Sequence, residues 1–92
     1  MKYLVDLGIS KDIVDLLDDA TCYNMKINEK KITEIILYLK NIGINNLDEL
    51  IINELRILYM DFEDIRSAFN NCNQKEMVEL INNDIVAIED IL

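Results

Sequence analysis

The chain has 92 residues of which 51% are hydrophobic, enough for one domain with a modest core and too little for two. Its 18 acids against 9 bases give a formal net charge of -9, which repels nucleic-acid phosphates and lacks the cations that direct binding to them needs. Histidine, proline and tryptophan are absent, so the commonest general base and zinc ligand are missing and no proline-rich linker divides the chain.

Met1-Lys2 is followed by Asp6 and a helical pattern, with no apolar leader and no run long enough for a bilayer span; this predicts a soluble cytoplasmic protein. Residues 1–7 predict a short opening helix and residues 10–19 its partner, with Ser10 as N-cap. The apolar link at 20–27, with Tyr23 and Met25, predicts a short 3₁₀ or α turn. Asn28 is placed to cap a longer helix reaching about residue 42, whose Ile32, Ile35, Ile36, Leu39 and Ile42 share one face. Asn45 or Asn46 caps the next helix, to about residue 54, and 55–60 forms a second apolar link. Asp61 opens a third pair of helices: the first has Phe62, Ile65, Phe69 and Cys72 as its inner stripe, and the second runs over about 74–82. The tail 84–92 is again helical in period. No stretch alternates with period two, so the predicted fold is all-α: three stacked helical hairpins, a short solenoid-like stack or compact bundle spanning 1–92 as one domain.

The hairpins read as repeats. Ile13-Val14-Asp15-Leu16-Leu17, Leu47-Asp48-Glu49-Leu50-Ile51 and Met77-Val78-Glu79-Leu80-Ile81 follow one pattern, 34 and then 30 residues apart. Upstream, Tyr3-Leu4-Val5-Asp6-Leu7-Gly8-Ile9-Ser10 aligns with Tyr38-Leu39-Lys40-Asn41-Ile42-Gly43-Ile44-Asn45. Gly8 and Gly43, the only glycines, predict left-handed corners with an isoleucine folding back on the last turn. Asn73 stands at the third corner, and asparagine is the next most tolerant residue of that backbone.

Leu-x-x-x-Gly-Ile, then an amphipathic Leu-Ile helix, then a leucine-rich link resembles the repeat of the mitochondrial transcription termination factor family. That resemblance implies a solenoid of two helices and a 3₁₀ turn per unit over most of residues 1–92. The proline that commonly opens the link in that family is replaced here, Glu54 standing near its place, and the family's basic groove has no counterpart in this acidic chain.

No reaction chemistry is legible, which predicts a protein that is not an enzyme and has no cofactor or metal. Ser10 and Ser67 have no activating base in sequence, Cys22 and Cys72 have no basic neighbour, and two isolated glycines make no phosphate loop. The cysteines are expected as buried small apolar residues without a disulfide between them. Lys26, Lys30 and Lys31 cluster, with Lys30 and Glu34 at i,i+4 spacing as on a solvated face.

Two surfaces remain. Asp15, Glu49 and Glu79 recur at one repeat position, with Asp12 and Glu76 three residues before two of them, and stacked hairpins bring these five acids into a ridge. Ile85, Ile88, Ile91 and Leu92 form an apolar end expected to serve assembly, through a homodimer or a foreign protein. The expected function is a protein-interaction module using an acidic or apolar helical surface. The alternative is an acidic nucleic-acid mimic of the phage or plasmid type, inhibiting a basic nucleic-acid-binding protein. Neither reading includes direct nucleic-acid or membrane binding.

Overall fold

Seven α-helices and two 3₁₀ helices follow one another along residues 1–92, all of which the computed structural model describes. They are α1 (Lys2–Asp6), α2 (Lys11–Asp15), α3 (Asp19–Ile27), α4 (Glu29–Asn41), α5 (Leu47–Asn53), the 3₁₀ helix η1 (Leu55–Tyr59), α6 (Phe62–Asn70), α7 (Gln74–Asn83) and the 3₁₀ helix η2 (Ile85–Asp90). The fold is all-α, and α1/α2, α4/α5 and α6/α7 are its three hairpins. Among the first helices, α1 packs on α4 and α4 on α6; among the second, α2 packs on α5 and α5 on η2. The result is two layers of helices in a stack measuring 37 × 24 × 19 Å. No helix is long and apolar enough to cross a membrane.

Both glycines form the corners that the sequence demands. Gly8 and Gly43 have φ of +105° and +109°, values that L side chains rarely adopt. At the first corner the Ile9 N–H donates to Leu4 C=O at 3.0 Å and the Gly8 N–H to Val5 C=O at 3.0 Å; at the second, Ile44 donates to Leu39 at 3.0 Å and Gly43 to Lys40 at 3.1 Å. These paired bonds are Schellman caps, and in each the apolar residue after the glycine is buried with the residue whose carbonyl it meets. The third corner differs from the expectation for Asn73. Its φ is -73°, and its Oδ1 accepts the Glu76 N–H at 3.3 Å as the N-cap of α7. An extended asparagine whose side chain satisfies a helix start has no need of the left-handed region.

Other caps also depart from the sequence reading. Ser10, Asn28 and Asn46 precede helices, but none makes a side-chain cap bond. Other atoms of two of them reach across hairpins: the Ser10 N–H donates to Asp48 Oδ1 at 2.8 Å, and Asn46 Nδ2 donates to Ile81 C=O at 2.7 Å. Asn28 Nδ2 instead bonds back to Asn24 C=O at 2.7 Å. The second helix stops at Asp15 rather than near residue 19, because Asp18 caps a new helix, accepting the Thr21 N–H at 2.7 Å. The link 20–27 is therefore most of a nine-residue α-helix, whereas 55–60 does contain the expected 3₁₀ element.

The core is one cluster of 21 buried apolar residues, with Ile32, Ile35, Ile36 and Leu39 of α4 at its centre, all fully enclosed. Each such side chain contributes on the order of 2 kcal/mol by leaving water. Between α4 and α6, Tyr38 meets Phe62 edge-on with ring centroids 5.4 Å apart, and Phe69 at 6.2 Å. Cys22 and Cys72 are free, half-buried thiols. The C-terminal segment overturns half of the proposed assembly surface. Ile85 and Ile88 are 1% and 0% exposed, because η2 folds back over α5 and α7 and closes the core with them. Ile91 and Leu92 are half-buried against the same cluster.

Candidate interaction surface

Helices α2 and α7 carry the same surface pattern. Asp12, Asp15 and Leu16 stand at i, i+3 and i+4, as do Glu76, Glu79 and Leu80, so in each case two acids and a leucine share one helix face. All six are exposed, Leu16 by 79% and Leu80 by 54%. On the intervening α5, Glu49 is exposed but Leu50 is completely buried. The five predicted acids thus lie on the second helices of the three hairpins, facing water.

Their intramolecular bonding is slight. Lys11 Nζ lies 3.6 Å from Asp15 Oδ2 as an exposed i,i+4 pair, a contact that contributes little to stability. Asp12, Glu49, Glu76 and Glu79 have no ion-pair partner. Asp12, Glu49 and Glu76 sit in the first turns of their helices, where the partial positive charge of the free N–H groups favours them. Leu16 and Leu80 have no such explanation, since an exposed leucine stabilises neither a helix end nor the core.

Two concavities mark the surface. One, of about 280 Å³, is formed by Met1, Lys2, Val5, Lys11, Val14 and Asp15 at the α1/α2 end of the stack. The other, of about 260 Å³, lies where α3 meets α4 and is formed by Ile27, Asn28, Lys30, Lys31 and Glu34. The expected Lys30–Glu34 pair does not form. Lys31 instead donates to Tyr59 C=O at 3.0 Å and lies 3.7 Å from Asp61, tying α4 to the start of α6. A side chain that reaches a carbonyl and a carboxylate together gains more than one in an exposed i,i+4 contact.

The sequence reading overlooked Glu54, which is the one buried charged residue at 3% exposed. Arg56 Nη2 lies 3.7 Å from Glu54 Oε2 and 4.0 Å from Glu89 Oε1, so η1 and η2 meet through two carboxyls and one guanidinium. Burial pushes the Glu54 carboxyl above its ordinary range; Glu89 adds to this, and Arg56 opposes it. Neither concavity opens onto this cluster. Its only sequence signal is an acid placed where α5 ends and an apolar link begins.

Comparison of the chain with models of protein families, with curated proteins and with solved structures found no match.

Proposed function

We propose that this chain is a non-catalytic protein-interaction module whose working surface is the acid-leucine face of its second helices. The observation that carries the reading is Leu80, 54% exposed beside Glu76 and Glu79 on a helix whose other apolar residues are buried or half-buried. Leu16 repeats the arrangement beside Asp12 and Asp15. An apolar anchor ringed by charge suits protein recognition: the anchor supplies desolvation energy, and the acids select a basic or hydrogen-bond-donating rim. A nucleic-acid mimic needs charge alone, so the two exposed leucines favour a protein interface over a phosphate imitation.

The test is photo-crosslinking in the cell of origin from a benzophenone side chain placed at position 16, 80 or 37. Leu37 is 50% exposed on α4, outside the acid-leucine face, and serves as the control. Adducts to a protein are expected from 16 and 80, and they should weaken when Asp12, Asp15, Glu76 and Glu79 become Gln. Equal adducts from position 37, or adducts indifferent to those four changes, contradict the reading.

A further inference from the structure

Hydrogen bonds between hairpins reveal which flank of each helix faces which neighbour. Lys40 Nζ of α4 donates to Leu7 C=O at 2.8 Å, and Asp48 of α5 accepts the Ser10 N–H, so these two positions look back toward the first hairpin. Asn82 of α7 looks back in the same way, donating to Gly43 C=O at 2.9 Å and accepting the Asn45 N–H at 2.9 Å. The forward flank of α5 is marked by Asn46, bonded to Ile81 C=O, and by Glu54, joined through Arg56 to Glu89. Leu50 lies between them, one turn from each. On this helix, which packs against α2, η1 and η2, Leu50 is 0% exposed.

The repeat alignment carries this logic to both ends of the stack. On α7 the forward flank is Glu76, Leu80 and Asp84, at the places of Asn46, Leu50 and Glu54, and here Leu80 is 54% exposed. Leu16 shares that repeat position just past the end of α2, with helical φ and ψ of -82° and -13°, and is 79% exposed although a hairpin follows it. At the other end, Val5 holds the place of Lys40 and Val14 the place of Asp48. Both therefore lie on the backward flank, and they are the apolar wall and floor of the 280 Å³ concavity. One end presents a leucine among acids. The other presents an apolar recess with Lys2, Lys11 and Asp15 at its edge. Lys11 is engaged by Asp15, while Lys2 has no intramolecular ion pair.

We propose that a second copy of this chain docks head to tail, Leu80 of one copy entering the Met1, Val5 and Val14 recess of the next, with Lys2 facing Glu76 and Glu79. The bonds that join the second hairpin to α7 supply the geometry, and the unpaired Lys2 opposite Glu76 and Glu79 supplies the orientation. Because plug and recess lie at opposite ends of one chain, the contact is heterologous and propagates into rows or closes into a ring. This inference rests on the reading of Glu76, Glu79 and Leu80 as an interaction face, and it names an occupant for that face.

Sedimentation velocity on the full chain tests it, over a range of about 10 to 500 μM. Wild-type protein should gain mass with concentration, and less so in high salt. Leu80→Asp and Val5→Asp change exposed positions, and a helical circular-dichroism spectrum will confirm that each folds. Each variant alone should be monomeric. Their equimolar mixture should form a one-to-one dimer and nothing larger, since the first keeps its recess and the second keeps its plug. Three outcomes overturn the proposal: a wild type that stays monomeric throughout, a mixture that stays monomeric while the wild type associates, or a single variant that still dimerises. A monomeric wild type that nevertheless crosslinks to a foreign protein from position 80 removes self-docking and leaves the interaction face standing.

Discussion

Glu54, at the end of the second hairpin, and Glu89, in the C-terminal 3₁₀ helix, converge on the single guanidinium of Arg56, at 3.7 and 4.0 Å. The pair joins the middle of the stack to its last element. It does so with a charge deficit, because two carboxyls share one cation and Glu54 is buried. No other charged side chain makes an ion pair with either acid.

The cluster makes stability depend on pH in a stated direction. Glu54 has its folded-state pKa raised above the ordinary 4.5, by burial first and by Glu89 second, so between the ordinary and the raised value the folded protein binds more protons than the unfolded chain. Its contribution is therefore most favourable at and below the ordinary value and is lost as pH rises through the raised one. Glu54→Gln should raise the melting temperature at pH 7, with the gain shrinking toward pH 4. Thermal melts across that range check it. A variant that is less stable than wild type at pH 7 means that the Arg56 contact outweighs burial.

Tyr3 holds the first helix to α3, its hydroxyl donating to Met25 C=O at 2.6 Å. Burial, then Glu29 and Tyr59, push its pKa to about 12 from 10.0. The associated stability is fully present below pH 10 and falls as pH rises toward 12. Tyr3→Phe should cost about 1 kcal/mol at pH 7 through the lost bond. Urea unfolding of both proteins should show the difference narrowing above pH 10.

Gly43 and Gly8 share a strained backbone but differ in their surroundings. A Cβ on Gly43 would meet Val78 Cγ1 of α7 at 3.3 Å, tighter than usual, whereas one on Gly8 would meet Lys40 Nζ at 3.5 Å, an ordinary contact. Both alanine variants should lose about 1 kcal/mol or more from the positive φ, with Gly43→Ala the worse of the two. At a φ of +109°, beyond the usual left-handed range, asparagine should rescue little at this corner. Denaturant midpoints of the three variants rank these effects.

Leu50→Ala removes a fully enclosed side chain and should cost about 2–5 kcal/mol. Leu80→Ala, at the same repeat position, should stay within about 0.5 kcal/mol at concentrations where the protein is monomeric. Equal losses measured by urea unfolding would mean that Leu80 is packed within its own chain.

The two Gly-Ile corners, the apolar face of α4 and the hairpin order were legible because each follows from local chemistry: a left-handed residue, a 3.6-residue period, a repeat. The fate of polar residues near helix starts was not. Ser10 and Asn46 have cap-like sequence contexts, but the Ser10 N–H and the Asn46 Nδ2 bond to residues 38 and 35 positions away while neither side-chain oxygen caps its helix, and no local rule sees that distance. The tail misled for a related reason. Ile85 and Ile88 read as an open apolar end because the sequence does not say that η2 turns back on α5. The acids of the interaction face were visible as a repeat, whereas the leucines beside them became notable only once Leu50 was found buried and Leu80 was not.

The central claim is that the acid-leucine flank of α7 docks in the Val5 and Val14 recess of a second copy. Methyl NMR on Leu- and Val-labelled protein, diluted from about 500 to 10 μM, tests it at the residues concerned. The account predicts that the signals of Leu80, Val5 and Val14 move together with concentration while Leu50, enclosed in the same chain, stays still. If Leu80 and Val5 hold their positions throughout, or move no more than Leu50, the ends of the stack do not meet and the account is contradicted.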